Sequence, residues 1–205
     1  MSTAEQTTQE LILEAAKTEF LEKGYQNAAL RDISKRAGVT TGALYGYFKN
    51  KNEVFEALVK PHYDHLLDLY RKVLEDFFQL PPEQQAATMQ DRTTRCMLQM
   101  TDYIYAHREA FKLILCCSQG TEYCNLVHEM AELDVNATHS FAATNESLGV
   151  PMKPVNANLE HILISGMFST YFELVIHDIP REEAQEYIRQ LLEFYSAGWA
   201  KIMGF

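Results

Sequence analysis

In residues 28–51, AALRDISKRAGVTTGALYGYFKNK, three glycines and three aromatic residues crowd the last fifteen positions, a poor composition for a free-standing helix. The spacing resolves the stretch into two short helices. Leu30, Ile33 and Ala37 fall on one face of the first, and Gly38-Val39 makes a tight turn. Thr40 is a good N-cap for the second, because its hydroxyl accepts a bond from a free amide of the next turn. On a helix beginning at Thr41, Leu44 and Phe48 stand at i and i+4 and pack back on Ile33 and Ala37. Gly42, Tyr45 and Gly46 then point away from that small core. A tyrosine between glycines stabilises a helix poorly but makes a good contact surface. The backbone can be approached closely, and the phenol offers a ring face and a hydroxyl. The pattern predicts a helix-turn-helix, in which one helix braces and the second enters the major groove of DNA.

The rest of the chain also reads as helix. Residues 7–23 place Ile12, Ala16 and Phe20 at i, i+4 and i+8, and Gly24 stops them. From Lys51 a long pattern runs through Val54, Phe55, Leu58, Leu66, Leu69, Val73 and Phe77, with Pro61 expected to kink or split it. After QLPPEQQ (79–85) a helix runs to about His107, a short one follows in YAHREAFKLILCC (105–117), and Gly120 marks a break. Residues 122–147, 157–177 and 181–203 are further helices, separated by GVPMKP (149–154) and DIP (178–180). No strand pattern or internal repeat is present. The predicted fold class is all-α, with an N-terminal three-helix head over 1–52 and a helical body over 53–205, about nine helices in total.

Residues 159–176, LEHILISGMFSTYFELVI, are apolar nearly all round, which requires burial on every side. The stretch reads as too short and too polar to span a membrane, so one face belongs to the chain's own core and the other to a second chain. The last helix adds a stripe of Ile188, Leu191, Leu192, Tyr195, Trp199 and Ile202. A homodimer through about 157–178 and 181–203, closed as a four-helix bundle, is expected.

With 205 residues, 47% apolar and 22% charged, the composition is that of a soluble globular protein. The start, MSTAEQTTQE, has no basic segment followed by an apolar one, so a cytoplasmic location and no membrane partner are expected. Four cysteines, Cys96, Cys116, Cys117 and Cys124, are expected to be reduced. The net charge of −10 argues against nucleic acid only if it is spread evenly, and it is not. Up to residue 60 acids and bases balance, and within 31–51 only Asp32 opposes Arg31, Lys35, Arg36, Lys49 and Lys51. That is a local nucleic-acid footprint on an acidic body. A helical enzyme is the alternative class, but no Gly-rich phosphate loop is present. HEMAE (128–132) ends in Glu where a zinc-hydrolase helix carries His, so neither an enzyme nor a cofactor is expected.

A family pattern is visible in the head. DISKRAGVTTGALYGYFKNKNEVFEAL (32–58), together with EAAKTEFLEKGY (14–25), closely resembles the DNA-binding domain of the TetR family of one-component transcriptional regulators. The resemblance implies a dimeric regulator, usually a repressor, of double-stranded operator DNA, and it implies that the body over 53–205 is a ligand-binding and dimerisation domain on which a small-molecule effector acts. By position it implies that Thr40, Thr41, Gly42, Tyr45 and Tyr47 face DNA from the recognition helix. It further implies that Lys51 holds a phosphate at the start of the fourth helix and that Arg31 reaches backbone or groove from the second. The family usually opens its second helix with a Thr pair, and this chain has Ala28-Ala29, leaving Asn27 as the expected cap.

For the effector, a pocket is expected among Tyr63, Tyr70, Cys96, Met100, Tyr103, His107, Phe111, Phe168, Tyr171 and Phe172. Cys96, Met100, Tyr103 and His107 recur at i, i+4, i+7 and i+11, a soft, aromatic and partly polar face suited to a flattish apolar ligand with a polar end. Pro61 is the candidate hinge between head and body. A metal-responsive variant is the alternative, from Cys124 and His128 at i, i+4, His62 and His65 at i, i+3, and Cys116-Cys117. No closed set of four ligands is visible, and no metal residue is assigned.

Overall fold

The computed structural model describes residues 7–204. Residues 1–6, the opening of the head expected over 1–52 and of the stretch expected to carry no leader, lie outside the described residues, as does residue 205. Among the described residues there are nine α-helices and no strand. They are α1 (Thr8–Asn27), α2 (Leu30–Arg36), α3 (Thr41–Tyr47), α4 (Lys51–Phe78), α5 (Pro82–Ala106), α6 (Arg108–Lys112), α7 (Leu126–Ser147), α8 (Ala157–Ile176) and α9 (Arg181–Met203). A π-helical turn, Leu113–Cys117, follows α6, and a 3₁₀ turn, Glu122–Asn125, precedes α7. The chain forms two compact units, one of residues up to Asp64 with His107–Cys124, the other of His65–Ala106 with the residues from Asn125 onward.

In the first unit the apolar spacing of the sequence becomes the core. Ile12, Ala16 and Phe20 of α1 are fully buried, as are Ile33, Leu44, Val54 and Phe55. Phe20 meets Phe55 edge-on at 5.0 Å between ring centres. Thr7 caps α1 and shares a reciprocal pair of bonds with Glu10. Gly24, at φ +73°, ends the regular part of α1, a backbone geometry that favours glycine. Asn27 does not cap α2. Its side chain bonds back to the Lys23 carbonyl, and α2 begins after Ala29 without a side-chain cap. Glu19 is buried on α1 and is held by Lys23 at 2.6 Å and Arg36 of α2 at 3.4 Å. The α6 segment and the π-helical turn pack on each other, and the turn packs on α1.

In the second unit α7 packs on α8, α8 on α9 and α5 on α9. By length and composition α8 does qualify to cross a bilayer, with a mean hydropathy of 1.2, contrary to the sequence expectation. One face of it is buried in the protein itself, while Leu159, Ile162 and Ile176 are exposed. Ile164, Met167, Phe168, Tyr171, Phe172, Leu174 and Val175 are buried. Tyr171 shares a hydrogen bond with Thr101 at 2.9 Å, and Tyr187 of α9 donates to the Thr170 carbonyl. Pro61 lies within α4 without ending it.

Candidate nucleic-acid interface and effector cavity

The turn between α2 and α3 is made by Gly38 at φ +70°, with the Val39 amide donating to the Ser34 carbonyl at 3.0 Å. Thr40 caps α3 through a bond from the Ala43 amide at 3.1 Å. The Ser34 and Thr41 hydroxyls meet at 3.2 Å and tie the two helices together. Leu44 and Phe48 turn inward, 0% and 5% exposed, while Tyr45 and Tyr47 are 53% and 50% exposed. Thr40, Thr41, Gly42 and Gly46 are exposed beside them. Open space lies over both glycines. A Cβ at Gly46 would meet nothing within 4 Å, and one at Gly42 only the Thr40 hydroxyl at 3.9 Å. The outward face of α3 is therefore a low backbone ridge flanked by two phenols.

The basic residues divide into two sets that sequence alone does not separate. Arg31 and Lys35 are exposed and, among the described residues, make no ion pair. Lys49 is exposed and only loosely paired with Glu53, at 3.8 Å. Arg36 is turned onto Glu19 and Glu22 of α1. Lys51, expected to hold a phosphate, is instead committed within the protein. Its ammonium donates to the carbonyls of Tyr25 at 2.6 Å, Gln26 at 3.1 Å and Ala28 at 3.1 Å, and lies 4.5 Å from the Tyr25 ring centre. It thereby satisfies carbonyls at and beyond the end of α1, where helix geometry leaves them unpaired. Burial pulls its pKa down. At the start of α4, the Asn50 side chain accepts from the Glu53 amide at 2.9 Å.

The second unit holds a cavity of about 410 Å³. Its walls are the second half of α4 (Tyr70, Val73, Leu74, Phe77), the first part of α5 (Met89, Thr93, Cys96, Met97), Phe141 of α7, Met167 of α8 and Trp199 of α9. The polar features are few. Tyr70 donates to Asp134 at 2.5 Å, and Arg92 and Thr138 also line the space. Burial raises the Asp134 carboxyl and pushes the Cys96 thiol up to about 12, so that thiol is neutral at physiological pH.

Of the ten residues expected at a pocket, Tyr70 and Cys96 line this cavity. Met100, Phe168, Tyr171 and Phe172 are buried in the core of the same unit, and Tyr103 stacks on His65 at 4.0 Å. Tyr63, His107 and Phe111 belong to the first unit, where Tyr63 meets Tyr123 edge-on and His107 stacks on His62. The soft stripe thus sits on a helix that does line the cavity, but too far along it. The open space lies beside Met89 and Thr93, whereas at later turns Thr101 is bonded to Tyr171 of α8 and Tyr103 is stacked on His65. Met89 and Thr93 continue the spacing of Cys96 and Met100 toward the start of α5, whereas Arg92 and Asp134 carry no such signal.

Among the described residues, the His and Cys pairs expected for a metal do not gather into a group of three ligands. His62 and His65 each stack on another ring, and Cys124 lies in the 3₁₀ turn, so helical i, i+4 spacing to His128 does not apply. The group that the tertiary structure does gather is His128, Glu132 and His161.

The head also has relatives among known proteins. Residues 12–58 match the model of the bacterial regulatory proteins of the tetR family. The HTH-type transcriptional repressor KstR2 of Mycolicibacterium smegmatis is 33% identical over 64 residues, 31% of this chain and 31% of that protein. The HTH-type transcriptional regulator TtgR of Pseudomonas putida is 42% identical over 64 residues, 30% of each. The chain thus spans less than a third of the length of the curated relatives it matches. Solved structures extend the likeness of fold to nearly the whole chain. SmeT, the repressor of the Stenotrophomonas maltophilia multidrug efflux pump SmeDEF, has a TM-score of 0.60 at 20% identity, covering 95% of this chain and 91% of that one. FadR of Bacillus subtilis, solved in complex with stearoyl-CoA, has a TM-score of 0.59 at 19% identity, covering 92% and 97%. Residues 12–58 thus carry the DNA-binding head of the bacterial tetR regulators, and nearly the whole chain shares the all-helical fold of solved regulators of that kind.

Proposed function

We propose that the chain is a transcriptional repressor that binds operator DNA as a homodimer and is released by a small, largely apolar or aromatic ligand. The observation that carries this reading is α3, a helix anchored by Leu44 and Phe48 whose other face exposes Thr41, Tyr45 and Tyr47 over two glycines. The head, residues 1–52, contacts DNA through Thr40, Thr41, Gly42, Tyr45 and Tyr47, with Arg31 on the backbone. Lys51 acts chiefly by holding α4 to the end of α1, and Lys35 and Lys49 join Arg31 as phosphate contacts. The body, residues 53–205, binds the effector in the cavity between α4, α5, α7 and α9, where methionines and aromatic rings favour an apolar occupant. A second copy covers α8 and α9, whose outward residues Leu159, Ile162, Ile176, Phe194 and Ile202 are exposed. Such work on operator DNA places the protein in the cytoplasm, and no reaction is assigned to it.

The test is fluorescence anisotropy with labelled DNA from upstream of the chain's own gene. Binding should weaken steeply with salt, because phosphate contacts release counterions. Tyr45→Ala should abolish it and change folding stability by no more than about 0.5 kcal/mol, as expected for an exposed side chain. Full DNA binding by Tyr45→Ala would sink the assignment of α3 as the reading helix.

A further inference from the structure

HEMAE (128–132) fails as a hydrolase motif, since its last residue is Glu, yet the fold gives its first and last residues a partner. His128 and Glu132 stand one turn apart on α7 and so share a face. His161 of α8, the helix packed against α7, meets that face. Its Nδ1 lies 3.3 Å from a Glu132 carboxylate oxygen, and its ring meets the His128 ring at 5.6 Å and a steep angle. One donor atom from each of the three residues lies within 4.8 Å of the other two.

We propose that His128, Glu132 and His161 form a binding site for a divalent transition-metal ion, such as zinc, across the α7–α8 seam. Ligand bonds of roughly 2.0–2.2 Å put the donors of a tetrahedral site about 3.3 Å apart. The three side chains therefore need to close by an ångström or so. His128 and Glu132 are exposed and His161 is half-buried, so rotation of the side chains supplies that movement while the helices stay packed. Two imidazoles and one carboxylate suit zinc, nickel or cobalt over calcium or magnesium, which take oxygen ligands. Three protein ligands leave a further position for water, an open site rather than a closed structural one. An ordinary Glu132–His161 ion pair accounts for two of the residues but gives no place to His128. The acidic balance of the chain beyond residue 60 also favours a cation. His139 and Glu160, 2.8 Å apart, form a second pair between the same helices but, among the described residues, gather no third ligand. They serve as the internal control.

The experiment uses the full chain purified without an affinity tag and stripped with a chelator that is then removed. Zinc chloride is titrated by calorimetry, and cobalt chloride is followed by visible absorption. One equivalent per chain is expected, with cobalt d–d bands and an affinity that falls as the pH drops and the imidazoles protonate. His161→Ala and Glu132→Gln, on different helices, should each weaken binding by more than about ten-fold, since even residues that only support a metal ligand are worth about 10–100-fold. His139→Ala should leave it unchanged. Circular dichroism of each variant separates loss of the site from loss of the helices. No saturable uptake by the unaltered chain, or uptake undiminished when His161→Ala and Glu132→Gln are combined, would overturn the proposal.

Discussion

Replacing Lys51 by Met separates two roles that the head could give this residue. The Met side chain keeps most of the apolar stem and removes the ammonium. Three charge-assisted bonds then disappear, those to the carbonyls of Tyr25, Gln26 and Ala28. The bond to Gln26 is exposed, so water replaces it at little cost. The bonds to Tyr25 and Ala28 are part-buried. Hydrogen bonds from a charged group are worth about 1.5–3 kcal/mol each, and partial access to water roughly halves that here. Adding about 0.5 kcal/mol for the ammonium over the Tyr25 ring gives a loss of about 2–3.5 kcal/mol. For a chain of this size each kcal/mol lowers Tm by about 2–4 °C, so a fall of roughly 5–10 °C is expected. The assay pairs urea and thermal unfolding with DNA anisotropy across a salt series. As a structural tie, Lys51 should shift the unfolding midpoint and leave the salt slope of DNA binding intact. The opposite result is an unchanged midpoint with weaker DNA binding and a salt slope smaller by about 1 for each phosphate no longer neutralised. It would refute the reasoning and restore Lys51 to the DNA backbone.

Asp134→Asn should stabilise the fold at neutral pH, because burial raises the native carboxyl's pKa above its unfolded value and so disfavours its charged form. The sign follows from linkage. The Asp134 contribution is fully present below the ordinary carboxylate pKa and is lost as pH rises through the raised native value, so the variant's advantage should vanish in acid. Urea midpoints across a pH series check this, and an advantage that grows in acid contradicts it. Pro61→Ala should stabilise α4, by up to about 3 kcal/mol if the proline ring is fully unfavourable there. If Pro61 is a hinge, the variant also alters the link between ligand binding and DNA release, and unaltered DNA affinity and induction together remove that idea. Ile162→Glu combined with Phe194→Glu should turn a dimer into a monomer by light scattering, since both side chains are exposed and apolar on the face assigned to a second copy. A dimer that persists at micromolar concentration places the interface elsewhere.

Local chemistry made much of the head legible. The Thr40 cap, the Gly38 turn and the Leu44–Phe48 anchor all depend on neighbours within a few residues, and all three are present as spaced in the sequence. The fate of the cations was not legible in that way. Arg36 and Lys51 look as available as Arg31, yet their partners, Glu19 with Glu22 and the carbonyls at residues 25–28, come from another helix and the turn after it. The cavity posed the same difficulty. Periodicity marks which face of α5 turns inward but not which of its turns meets a filled core and which meets open space. That depends on where residues of other helices, such as Tyr171 of α8 on Thr101, meet α5, and so on packing between distant segments.

By itself, the sequence determined the helices, most of their limits to within a turn, and the resemblance of the head, because caps, turn glycines and apolar periods act over one or two turns. Tertiary structure alone decided which charges of the head stay exposed, where the cavity of the second unit opens, and that His161 of α8 meets His128 and Glu132 of α7. Each of these joins residues far apart in the chain, and local spacing carries no record of which helices pack together.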